Sequence, residues 1–210
     1  METFSITAEN LGKYYNPGKF IFQNITFSLD QSQVLIIKGK NGSGKTTLLK
    51  VLSGALKQSS GTLKYNYNSK EVNKENYYLH IGYIAPYLNI YEEFTPVELF
   101  QFYCKNKSIK NKLNSFEMMI NLFNLKNRRN ELIGTYSSGM KQKIKYCLAF
   151  SGNNSVIFLD EPFSNLDSEG IEVVKSLLKN HLESSGIIII ASNDEREYNI
   201  DFNKKLFINL

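Results

Sequence analysis

Only two cysteines, Cys104 and Cys147, occur in the 210 residues, and their positions show no metal-ligand spacing. A disulfide framework is therefore excluded as the organising device, and a reducing cytosol is the expected compartment. Histidine is equally scarce, with His80 and His181 alone. No apolar run approaches the roughly eighteen residues that a membrane span needs. The strongest run, Ile187 to Ala191, is far too short. The start, Met1 to Thr7, has neither the basic opening nor the apolar core of a secretory signal, so any membrane role requires a separate polypeptide. Internal repeats and low-complexity segments are also missing. The formal charge of +5 is spread along the chain, with scattered pairs such as Arg128-Arg129 and Lys204-Lys205. Charge so diffuse gives no reason to expect a nucleic-acid partner and equally suits an anionic inner-membrane surface. The hydrophobic fraction of 42% fits one buried domain, or a core carrying one subdomain.

What is present is concentrated between Gly39 and Thr47, which read G-K-N-G-S-G-K-T-T. An apolar run of strand length, Val34 to Lys38, precedes this stretch; Leu48, Leu49, Val51 and Leu52 follow at helical spacing. Strand, glycine turn and helix together are the setting that a phosphate-binding loop requires. Glycines let successive backbone N–H groups turn inward around phosphate oxygens, and the helix N-terminus favours negative charge. Asn41, Gly42, Ser43, Gly44, Lys45, Thr46 and Thr47 are thus candidate nucleotide-binding residues. Lys45 is placed to reach the β- and γ-phosphates, and the Thr46 hydroxyl to ligate Mg²⁺.

Before the loop, the apolar alternation of Phe4, Ile6 and Ala8, a turn at Asn16-Pro17-Gly18, and the sequence Ile21 to Leu29 predict two or three antiparallel strands. Gly61 to Tyr67 predicts another strand, Lys70 to Asn76 a polar loop, and His80 to Ala85 a core strand. Thr95 is the expected N-cap of a helix with Pro96 at its first position. A second helical run covers Phe116 to Phe123, joined to the first through an exposed Lys105–Asn114 link. Lys141 to Ala149 and Ile171 to Leu182 read as helices, Val156 to Leu159 and Ile187 to Ala191 as buried strands, and Lys205 to Leu210 as a final edge. Apolar strands alternating with helices predict an α/β fold with a largely parallel sheet covered on both faces.

Two further motifs carry chemistry. A buried strand ending in Asp160 places that carboxylate at the sheet's C-terminal edge, where open α/β sheets bind ligands. Asp160 is a candidate for orienting Mg²⁺, and adjacent Glu161 for polarising an attacking water. An ordinary acidic turn after a core strand has the same letters; the phosphate loop tells them apart. Ser137, Ser138 and Gly139 stand before a helix, either as a second anion site or simply as a Ser/Gly cap.

Taken in order, these segments resemble the ATP-binding-cassette (ABC) ATPases, the nucleotide-binding subunits of ABC transporters. Gly39–Thr47 matches their Walker A motif and Val156–Glu161 Walker B; Tyr136–Met140 resembles the signature in a variant S-S-G-M form. Ser164 to Asp167 resembles the D-loop. Tyr15, or failing it Tyr14, falls where the family stacks an aromatic on adenine. The resemblance implies a P-loop NTPase with a RecA-like core sheet, an N-terminal antiparallel β subdomain, and a helical subdomain at about 91–130 set between 1–90 and 131–210. It also implies ATP and Mg²⁺ as ligands, and a head-to-tail homodimer in which Ser137, Ser138 and Gly139 of one copy close the ATP site of the other. A separate membrane subunit would dock near Tyr87, Leu88, Ile90, Tyr91 and Phe94, although these residues equally suit a subdomain core. Such a protein would sit on the cytoplasmic face of the membrane, and its compact form favours export over import.

Two positions depart from the family. Counting from Gly82 to Thr95, the Q-loop glutamine falls on Pro86, which offers no side-chain donor or acceptor; a one-residue slip gives Tyr87, and neither substitutes cleanly. After the Ile187–Ala191 strand, Asn193 stands where a switch histidine is expected. Its amide can bond a γ-phosphate but cannot exchange a proton near neutral pH. Glu161 is then the expected base and Asn193 a geometric sensor, with slow turnover; a site that binds ATP and hardly hydrolyses it is the rival. A soluble ABC-type protein acting on ribosomes or DNA would share the cassette, and a small P-loop kinase would share the phosphate loop. The single cassette, the lack of sustained heptads between Thr47 and Tyr136, and the signature and D-loop argue against both.

Overall fold

A computed structural model describes residues 3–16, 18–109, 113–152, 154–200, 202 and 204–210. Pro17 and the middle of the Lys105–Asn114 link lie outside the described residues. The strands are β1 (Phe4–Asn16), β2 (Lys19–Leu29), β3 (Val34–Lys38), β4 (Ser60–Tyr67), β5 (Lys70–Glu71), β6 (Ile81–Ile84), β7 (Val156–Asp160), β8 (Ile187–Ser192) and β9 (Lys205–Asn209). The helices are α1 (Lys45–Leu52), α2 (Pro96–Asn106), α3 (Leu113–Leu122), α4 (Ser138–Ser151), α5 (Ser168–Glu183) and the short α6 (Glu195–Tyr198).

An antiparallel sheet has the order β2-β1-β4-β5, and a five-stranded sheet the order β6-β7-β8-β3-β9. Every pairing in the second sheet is parallel. Its apolar runs follow from burial on both faces. Ile36, Ile157, Leu159, Ile188 and Ile190 join one core with residues of α2 to α5, while Leu35, Ile37, Phe158 and Ile189 join another with α1 and the antiparallel sheet. Successive strand residues point to opposite faces, so neither face can be polar.

The helical stretch after Tyr91 begins as expected. Thr95 caps α2 with its hydroxyl, and the Glu98 carboxylate reaches back to the Thr95 N–H, completing a capping box with Pro96 behind it. Phe100, Phe116, Ile120 and Phe123 of this stretch are buried in the same core as Ile144 and Tyr146 of α4. Its helices therefore share the interior of the parallel sheet.

The Lys70–Asn76 stretch, expected as a loop, instead forms β5 and opens a 3-10 turn at Lys74–Leu79. Asn73 caps that turn, and Tyr77 lies stacked on Tyr65 with ring centroids 4.0 Å apart. A buried aromatic pair holds the backbone that local polarity would have left free.

Candidate active site

The register of the parallel sheet assembles the site. Lys38 pairs with Ser192, and Asp160 with Ala191, so β3, β7 and β8 end side by side. The residues that follow those ends are the phosphate loop, Glu161 and Asn193. Segments more than a hundred positions apart thereby meet along one sheet edge.

The loop has the backbone its glycines were expected to supply. Gly44, at φ 103°, precedes α1, and a Cβ there would lie 2.6 Å from Ile21. Lys45 is buried and donates from Nζ to the carbonyls of Gly39 at 2.8 Å and Lys40 at 3.0 Å, so its ammonium stands across the loop's own curve. The Ser43 hydroxyl is buried within the loop and has no hydrogen-bond partner among the described residues. A buried orphan hydroxyl and an inward lysine suit a phosphate group.

Thr46 Oγ1 donates to Asp160 Oδ2 at 2.6 Å, bringing together the two residues expected at the metal. Among the described residues no cluster of three or more His, Cys, Asp or Glu side chains forms a complete metal cage. Two hard oxygen donors beside a phosphate loop fit Mg²⁺, which takes its remaining ligands from phosphate and water.

Glu161 follows with φ 46°, a left-handed backbone that a glutamate adopts only under constraint. Its N–H donates to the Ala191 carbonyl at 2.9 Å and its carbonyl accepts from Ser164 N–H at 3.1 Å, and these two bonds hold the bend. Asn193 donates to Asn41 Oδ1 at 2.8 Å, linking the end of β8 to the phosphate loop. A cleft of about 720 Å³ is lined by Asn41, Glu161, Phe163, Asn193 and Glu197.

Ser137, Ser138 and Gly139 sit elsewhere in the chain's contacts. Ser137 caps α4 by accepting from Met140 N–H at 3.3 Å, so the simple cap is present. A Cβ on Gly139 would lie 2.7 Å from the Asn165 carbonyl, so Gly139 packs against the turn after Glu161. Tyr15 is 63% exposed near the β1–β2 turn, with Lys13 Nζ 5.2 Å from its ring centroid. Tyr14 is instead engaged edge-on with Phe20, at 5.3 Å, which leaves Tyr15 the freer ring.

Sequence reasoning missed two residues around this site, Lys145 and Glu197, and named a third, Tyr87, without its contact to Asp160. Tyr87, set aside as a poor replacement for glutamine, extends its hydroxyl to Asp160 Oδ2 at 3.1 Å. Lys145, buried on α4, donates to the carbonyls of Ala85 at 2.9 Å and Pro86 at 3.1 Å. The sequence carries no signal for it, since Lys141 and Gln142 share its face of the helix and Lys145 reads as one more charge of a lysine-rich run. Glu197 is buried and accepts from Phe163 N–H at 2.8 Å and from the Ser192 hydroxyl. Burial raises its pKa, reinforced by Asp194 and Glu161 and opposed by those two hydrogen bonds.

A phosphate loop on a parallel sheet, with a threonine–aspartate pair and a glutamate at the neighbouring strand end, defines a P-loop nucleoside triphosphatase. The family model described as ABC transporter matches residues 22–164. The chain belongs to the ABC transporter family, as one of its ATP-binding, ATP-hydrolysing subunits. It is 25% identical over 180 residues to a cytochrome c biogenesis ATP-binding export protein of Vibrio vulnificus, covering 84% of this chain and 86% of that protein. The corresponding protein of Reclinomonas americana is 33% identical, over 91% of this chain and 85% of its own. A putative hemin import ATP-binding protein of Staphylococcus haemolyticus is also 33% identical, over 84% and 83%. The solved ATP-binding subunit of an ABC transporter superposes with a TM-score of 0.86 at 20% identity, covering 97% of this chain and 85% of that one. Among the described residues no helix is long and apolar enough to cross a membrane.

Proposed function

We propose that this chain works as a head-to-tail homodimer that hydrolyses Mg²⁺·ATP on the cytoplasmic face of a membrane and drives a separate transmembrane subunit. The observation that carries the reading is the meeting of Thr46, Asp160, Glu161 and Asn193 at the ends of three adjacent strands, while Gly139 packs against the turn that follows Glu161. Lys45 and the loop from Asn41 to Thr47 bind the phosphates, and Tyr15 stacks on the base. Thr46 and Asp160 hold Mg²⁺, which offsets phosphate charge when bound. Glu161 orients and deprotonates water, and Asn193 senses the γ-phosphate from its place beside Asn41. Ser137, Ser138 and Gly139 of the second copy supply the remaining phosphate contacts from the start of α4.

The membrane subunit is received by the 91–130 helical subdomain and its approach from β6. Tyr91, 58% exposed, packs with Phe94 and Phe102 at ring distances of 5.6 to 5.8 Å. Ile90 and Phe94 turn partly into the core, so the exposed part of the surface is Tyr87, Leu88, Tyr91 and Phe102. Export is the favoured direction, because the Vibrio and Reclinomonas relatives both carry it in their names.

The test is assembly under ATP. A Glu161→Gln variant should form a dimer by light scattering when ATP and Mg²⁺ are present and return to monomer when they are removed. Introducing Ser138→Arg into that variant should abolish the dimer while a monomer still binds ATP. A dimer indifferent to nucleotide, or one unaffected by Ser138→Arg, would contradict the reading.

A further inference from the structure

The segment leaving β6 is held by an unusual clamp. Lys145 Nζ bonds both the Ala85 and Pro86 carbonyls, and Pro86 has no N–H with which to continue a ladder. The chain therefore turns at Pro86, and Tyr87 leaves the bend with its hydroxyl inside the site. That hydroxyl is 2.9 Å from the Tyr83 hydroxyl and 3.1 Å from Asp160 Oδ2. A carboxylate can only accept, so Tyr87 spends its single proton on Asp160 and accepts from Tyr83. The result is a directed chain, Tyr83 to Tyr87 to Asp160. Thr46 donates to the same Oδ2, which is buried with the rest of Asp160.

We propose that Tyr87 is a positioning residue for the metal-binding carboxylate, its hydroxyl holding Asp160 turned toward Thr46 so that the pair meets Mg²⁺·ATP already assembled. The proposal rests on the reading of Thr46 and Asp160 as the Mg²⁺ residues. It also gives a physical use to the residue one place after Pro86, where the family's glutamine is expected. Phenol and carboxamide differ in reach, but each presents a donor at the end of a side chain. Lys50 Nζ stands over the Tyr87 ring at 5.0 Å from its centroid, and Tyr87 lines a groove of about 450 Å³ with Leu88 and Tyr78. One side chain thus runs from an open groove to the carboxylate, without an intervening residue.

The test measures binding of a non-hydrolysable ATP analogue by calorimetry, once with excess EDTA and once with saturating MgCl₂. Tyr87→Phe keeps the ring and removes the donor. It should weaken binding in Mg²⁺ by about tenfold, the scale of one hydrogen bond to a charged group, and leave binding in EDTA unchanged. In an Asp160→Asn background, Tyr87→Phe should cause no further loss. Equal losses with and without Mg²⁺, or no loss in Mg²⁺, would overturn the role of Tyr87 while leaving the metal site standing. If Asp160→Asn itself kept the full advantage of Mg²⁺, the metal assignment would fall and the proposal with it.

Discussion

The side chains of Asn193 and Asn41, far apart in sequence, are joined by a 2.8 Å hydrogen bond from one amide to the other. It follows from the register that pairs Ser192 with Lys38, and it brings the end of β8 onto the phosphate loop. An amide holds geometry but has no proton to exchange near neutral pH. The turnover rate should therefore show no inflection near pH 6.5, where an ordinary histidine titrates. Asn193→Ala should lower kcat by about tenfold, equivalent to the loss of one modest transition-state hydrogen bond. Asn193→His should introduce the missing inflection. Steady-state rates across a pH series check both, and a histidine-like step that survives in Asn193→Ala would show that another group sets the profile.

Glu161 combines its expected role as base with a φ of 46°. A side chain in the left-handed region costs about 1 kcal/mol relative to glycine. Both Glu161→Ala and Glu161→Gly should abolish hydrolysis. The glycine variant should nevertheless be the more stable of the two by about 1 kcal/mol, even though glycine usually destabilises by enlarging the unfolded ensemble. Urea denaturation of the pair decides this; an alanine variant as stable as the glycine variant would mean that the bend relaxes once the carboxylate is gone.

The parts of the site that could be read from the chain are those where one segment supplies the whole cause. Val156 to Leu159 is apolar because both faces of its strand are covered, and the phosphate loop carries its own strand, glycines and helix. Thr95 announces its helix through a cap three residues from its partner, Glu98. What was not legible depends on distant partners. Tyr87 reaches Asp160 from a turn whose two preceding carbonyls are held by Lys145, far along the chain on α4. Glu197 is buried because Phe163 N–H and Ser192 each supply a donor, and a charged residue on a short exposed-looking helix gives no sign of either. The 3-10 turn at Lys74–Leu79 depends on Tyr77 stacking against a strand residue, Tyr65.

His181, near the end of α5, has its pKa pushed down to about 4, chiefly by burial and against two backbone hydrogen bonds that raise it. Its ring fills the space where a Cβ on Gly186 would stand. The unfolded chain takes up a proton near pH 6.5 and the folded chain only near pH 4, so stability is complete above that window and lost as the pH falls through it. The deficit at the lower end is on the order of 3 kcal/mol. A His181→Phe variant should lose less stability than the parent between those pH values, by urea denaturation at matched salt. Parallel curves for the two proteins would show that His181 titrates normally.

Gly139 and Gly44 separate closing the site from filling it. A Cβ on Gly139 would stand 2.7 Å from the Asn165 carbonyl, a backbone atom held in a turn with φ 62° at Asn165 itself. Gly139→Ala must therefore push the start of α4 away from the turn after Glu161, at a cost of about 1–3 kcal/mol in stability. The phosphate loop is not part of that contact, so a monomer carrying the change should bind ATP normally, while ATP-dependent dimer formation and hydrolysis fall at least about tenfold. Gly44→Ala meets a different obstacle: φ is 103° and Ile21 lies 2.6 Å from the new methyl group, at the entrance to α1. Distortion there reaches the N–H groups and Lys45 directly, so ATP binding by the monomer is what should be lost. Calorimetry on monomers and light scattering on mixtures distinguish the two variants. Loss of monomer binding in Gly139→Ala would place that residue in its own chain's ATP site, and the head-to-tail arrangement would then lose its support.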